Sequence, residues 1–64
     1  MDPITDIEVQ LSEKDGNAFA IIGTVRSALR KGGRADLIDQ FTKEAAAEDY
    51  DHLLRTCMKY VVVS

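Results

Sequence analysis

Sixty-four residues make one domain and leave no room for a second. A chain this short buries only about 60% of its unfolded surface, so it is marginal alone unless a disulfide, a metal or a partner adds stability. Eight Lys and Arg against eleven Asp and Glu give a net charge of −3 and a pI near 4.9, which argues against nucleic-acid binding, normally marked by a basic domain.

The single cysteine, Cys57, has no partner within the chain for a disulfide, and with the single His52 it falls short of the four ligands of a structural zinc site. Self-association, or very efficient helix packing, is what remains to complete the interior. A lone thiol of this kind fits a reducing compartment. No apolar run approaches the ~20 residues of a membrane span. The N-terminal segment is acidic and lacks the apolar stretch of a secretory signal. The chain therefore reads as a soluble cytoplasmic protein with no cofactor motif and no membrane partner.

In chain order, residues 1–5 read as a loose leader. Ile7, Val9 and Leu11 then alternate with Glu8, Gln10 and Ser12, the period-two pattern of a strand with one face buried. Residues 12–17 carry turn chemistry in Lys14, Asp15 and Gly16, and Asp15, Gly16 or Asn17 can cap the helix that follows. An anion at that helix start is disfavoured by Asp15 itself.

The first helix is expected from about Asn17 to Lys31. Ala18, Ile22, Val25 and Leu29 form its inner stripe, widened by Ile21, Ala28 and Phe19. Its other face carries Ala20, Gly23, Thr24 and Ser27, all small and uncharged. A mid-helix glycine costs about 1 kcal/mol relative to alanine. That face is either thinly decorated and solvated, or packed against a second helix or a ligand at Gly23.

Gly32-Gly33 ends the helix, one glycine taking the left-handed conformation past its last turn. A second helix follows from about Arg34 to Ala47, with Leu37, Ile38, Phe41 and Ala45 inward. A third, capped by Asp49, spans Tyr50 to Lys59 with Leu53, Leu54, Cys57 and Met58 inward. Tyr60-Val61-Val62-Val63 reads as a closing strand. The fold class is α+β: a small β-α-α-α-β domain with a two-stranded sheet packed against three helices. Two strands are marginal alone and leave both edges open, so a homodimer or higher oligomer is expected.

Two stretches, Asp15-Gly16-Asn17-Ala18-Phe19-Ala20-Ile21-Ile22-Gly23 and Asp49-Tyr50-Asp51-His52-Leu53-Leu54-Arg55-Thr56-Cys57-Met58, resemble a group of short bacterial and phage proteins to which no activity is assigned. The likeness runs from the first strand to the last. It implies a prokaryotic or viral cytosolic origin, and roles typical of small phage accessory proteins, such as blocking or sequestering part of a host defence.

The candidate site is the run Arg26, Arg30, Lys31 and Arg34, four cations with no acid between them. Arg26 and Arg30 share a helix face, and Lys31 and Arg34 flank the glycine turn. Such a cluster can grip a phosphate. It can equally offset the negative end of the helix or pair with Asp36 or Asp39. Gly23 and Tyr60 join the candidate ligand-binding set; Tyr50 and Tyr60 read either as core-edge rings whose hydroxyls reach water or a polar partner, or as rings that stack on a base at an interface. Asp49, Asp51 and His52 are the only start for an enzyme, and the two carboxylates lie on opposite sides of a helix. The leading expectation is thus a non-enzymatic oligomer binding an anionic, nucleotide-like small molecule. The alternative is an inhibitor or adaptor whose acidic face, Asp36 to Asp51, docks on a basic host protein.

Overall fold

The alternating segment and the valine-rich end of the chain meet in one small sheet. In a computed structural model, which describes residues 2–11, 18–47 and 49–64, strand β1 is Glu8–Val9 and strand β2 is Val62–Val63. They run parallel, Glu8 beside Val62 and Val9 beside Val63. Val62 N–H donates to the Ile7 carbonyl at 2.9 Å and Ser64 N–H to the Val9 carbonyl at 3.0 Å. Parallel strands need a long crossover, supplied by helices α1 (Ala18–Lys31), α2 (Ile38–Ala45) and α3 (Tyr50–Tyr60). The expected turn at 12–17 and its caps lie outside the described residues.

Period two holds in β1: Val9 is buried, Ile7 and Leu11 are half-buried, and Glu8 and Gln10 are exposed. Helix α1 buries Ile21, Ile22, Val25 and Leu29. Phe19 departs from the expectation. It lies about 110° from the centre of that stripe at 100° per residue, and its ring is 83% exposed.

Helix α1 ends in a Schellman turn. Arg34 N–H donates to the Leu29 carbonyl at 2.8 Å and Gly33 N–H to the Arg30 carbonyl at 3.2 Å. Gly33 has φ +79°, a conformation that a Cβ disfavours. Gly32 is needed for a different reason: a Cβ there would stand 2.5 Å from Ile7 Cδ1.

The second helix begins later than expected. A tight 3-10 turn, Ala35–Leu37, precedes α2, with Leu37 N–H bonded to the Arg34 carbonyl at 3.0 Å and no side-chain cap from Arg34. Helix α3 starts as the sequence indicates: Asp49 Oδ1 accepts from His52 N–H at 2.9 Å. It runs one residue further than expected and takes in Tyr60.

The interior lies between the helices and one face of the sheet. Tyr60, Phe41, Leu29, Leu53, Val25, Val61 and Cys57 are its fully buried members, each large aliphatic or aromatic one contributing roughly 1.5–3 kcal/mol by burial. The Phe41 and Tyr60 rings meet edge to face, centroids 5.4 Å apart. Burial pushes the Cys57 thiol up to about 11.

Residues 4 and 5 are not a loose leader. Ile4 N–H donates to the Lys59 carbonyl at 2.9 Å and Thr5 N–H to the Tyr60 carbonyl at 3.0 Å. The last carbonyls of a helix have no intrahelical donor, and this segment supplies donors to two of them from a distant part of the chain.

Candidate ligand-binding face of helix α1

Helical spacing places Gly23, Arg26, Ser27 and Arg30 on one exposed strip of α1. Together they line a shallow depression of about 220 Å3. Gly23 and Ser27 also border a second depression of about 570 Å3, which runs between α1 and β1 and takes in Thr24, Lys31, Glu8 and Gln10. The two are continuous across their shared small residues. A Cβ on Gly23 would meet nothing within 4 Å, so nothing among the described residues uses the close approach that a glycine allows. Thr24 turns its hydroxyl back to the Ala20 carbonyl at 2.9 Å.

Among the described residues no strand pairs with the edge of β1 beside this groove. In a parallel ladder alternate residues point their backbone groups to one neighbour. Val9 faces β2, so Glu8 and Gln10 direct their N–H and C=O groups toward the groove.

Charge on the strip is not neutralised locally. Among the described residues no acid pairs with Arg26, Arg30 or Lys31. Arg30 and Lys31 stand in the last turn of α1, where a cation offsets the helix dipole by roughly 0.3–1 kcal/mol. Arg26 stands a turn earlier, beyond the reach of that effect.

Arg34 parts from the others. Its Nε pairs with Asp36 Oδ1 at 3.3 Å, and this hydrogen bond holds the Asp36 carboxyl below its ordinary range. It borders a different depression, of about 610 Å3, with Gly32, Val62 and the 2–7 segment. Of the expected four cations, three share the α1 surface and one is diverted.

Tyr60 is a correction. Its ring is 0% exposed, and its hydroxyl donates to Glu44 Oε2 at 2.7 Å. It sits at i+7 from Leu53 and i+3 from Cys57, on the inner stripe of α3, so it has no face to offer a base. The exposed rings are Phe19 and Tyr50, the latter 44% exposed. Both border an apolar cleft of about 190 Å3 between α1, the end of α2 and the start of α3. The signal for Phe19 was its angular distance from the core stripe.

The residues at the start of α3 are used structurally. His52 Nε2 lies 2.9 Å from the Glu44 carbonyl oxygen and 3.4 Å from Thr56 Oγ1. Asp51 pairs with Arg55 at 3.1 Å across one turn. Among the described residues no three His, Cys, Asp or Glu side chains gather as metal ligands, and no helix is long and apolar enough to cross a membrane.

No family model matches the sequence, and no curated protein and no solved structure is significantly similar to it. The reading of the site therefore rests on its own chemistry.

Proposed function

We propose that this chain is a non-enzymatic binding protein that holds an anionic, nucleotide-like ligand on the exposed face of α1, with a second copy completing the site. One observation supports the reading: Arg26 and Arg30, which pair with no acid among the described residues, border one depression together with Gly23 and Ser27. Arg26 has no role in helix-end electrostatics, and small uncharged residues give an anion close access to the backbone. Guanidinium forks match phosphate oxygens bidentately.

The need for a second copy follows from openness. Small-molecule sites enclose most of their ligand's surface, whereas the smaller depression lies on one helix face and the larger is an open trough between α1 and β1. The second edge of β1, unpaired among the described residues, and the exposed Ile4, Met58 and Val62 supply surface for self-association. The role that fits is sequestration of the ligand, the kind of task a phage-type accessory protein performs.

Calorimetric titration with inorganic tripolyphosphate tests the anion site, with light scattering on the same samples. Binding that weakens with salt and is lost in Arg26→Ala and Arg30→Ala supports the reading. Absence of binding, or binding indifferent to both substitutions, removes it. The acidic-face alternative is weakened by pairing: Asp36, Glu44 and Asp51 are already engaged by Arg34, Lys59 and Arg55.

A further inference from the structure

The cleft beside the basic strip has the composition of a ring slot. Its walls are Phe19 and Tyr50, and Ile22, Ala45, Ala46 and Leu53 line the space between the helices. Its volume of about 190 Å3 falls below the few hundred Å3 of a drug-sized ligand site and suits one planar ring system. Phe19 is exposed and Tyr50 half-exposed where they border this apolar gap, and such rings are natural stacking surfaces for a base.

Position along α1 joins this cleft to the cations. Arg26 lies one turn beyond Ile22, and Arg30 one turn further. Helical side chains lean toward the N-terminus, so Arg26 leans over the turn that carries Ile22, a residue that lines the cleft. Asp49, at the start of α3, also lines the cleft, with its carboxylate accepting from His52 N–H. An anionic group is thereby turned away from α3 and toward Arg26.

Resting on the binding function proposed above, we infer that the Phe19–Tyr50 cleft receives the base of a nucleoside phosphate whose phosphates run along α1 to Arg26 and Arg30. The ligand class is then a nucleotide rather than a bare polyanion. Phe19 and Tyr50 are binding residues that select for the base.

Titrations of ATP and of inorganic tripolyphosphate, run in parallel on the full chain, separate the two levels. ATP is expected to bind more tightly by roughly fivefold to a hundredfold, the range of stacking on one aromatic side chain. Phe19→Ala or Tyr50→Ala is expected to bring ATP down to the tripolyphosphate value while leaving tripolyphosphate unchanged. Both rings are exposed, so neither change disturbs the core. Equal affinity of the two ligands for the unaltered protein overturns the base slot and leaves the anion site standing. Failure of both ligands to bind overturns the two together. Ring substitutions that lower the native mass without changing the ratio of the two affinities make the cleft a contact between copies, and overturn the slot.

Discussion

Thr5 and Tyr60, 55 positions apart, share one carbonyl: Thr5 donates both its backbone N–H, at 3.0 Å, and its hydroxyl, at 2.7 Å, to the Tyr60 oxygen. Thr5 is 8% exposed, so both bonds are shielded from water. The pair ties the beginning of the chain to the end of α3. Thr5→Val keeps the shape and removes the hydroxyl. It should destabilise the protein by about 1 kcal/mol, read as a fall in the denaturant midpoint with unchanged slope.

Glu44 gives the fold a specific acid sensitivity. Its carboxylate accepts from Lys59 Nζ at 2.6 Å and from Tyr60 Oη at 2.7 Å, and these two bonds hold its carboxyl below the ordinary glutamate value. A carboxyl depressed in the folded state binds fewer protons there than in the unfolded chain. Its contribution is complete above the unfolded value near 4.5 and is lost as pH falls through the folded one. Stability measured from pH 7 downward should decline more gently in Glu44→Gln than in the parent across that window. Identical acid limbs would show that the bonds contribute nothing.

Three glycines should respond to alanine in different ways. Gly23→Ala meets open space and should stabilise the unliganded protein by about 1 kcal/mol. Gly33→Ala must hold φ near +79° and should cost about 1–2 kcal/mol. Gly32→Ala drives a methyl to within 2.5 Å of Ile7 Cδ1. Ile7 is half-buried and can give way, so the loss should sit near the low end of overpacking, roughly 1 kcal/mol. Thermal melts of the three variants check both order and sign.

Cys57 should be inert while the protein is folded. It is fully buried, with its thiol pushed up to about 11, and the thiolate is the reactive species. A thiol reagent at pH 8 should label it only through opening of the fold, at a rate that rises with denaturant. Rapid, denaturant-independent labelling would contradict the packing described for α3.

Much of the architecture was legible in the residues. Period two marked Ile7 to Leu11, the Ile22–Val25–Leu29 stripe marked α1, and Gly32-Gly33 marked its end. Asp49 announced α3. These signals are local, because each depends on side chains within a few positions. What local pattern does not carry is contact across the chain. Nothing near Thr5 indicates that its hydroxyl reaches a helix end, and nothing near Gly32 indicates the nearness of Ile7. Tyr60 fell between two patterns, since β-branched neighbours drew it to the strand while its spacing from Leu53 and Cys57 assigned it to the helix. At the candidate site the shared face of Arg26 and Arg30 followed from helical spacing. The loss of Arg34 to Asp36 depended on the path of the 3-10 turn, and the exposure of Phe19 on where the core's arc stops.

The parallel pairing of β1 with β2 also orders events during synthesis. All three helices emerge from the ribosome before residues 62 and 63, so β1 waits for its hydrogen-bonding neighbour until they have followed. Closing so large a loop delays the step that brings the two strands together. A nascent chain halted before Val62 would carry helices and an orphaned strand, with Val9 deprived of the ladder that shelters its backbone.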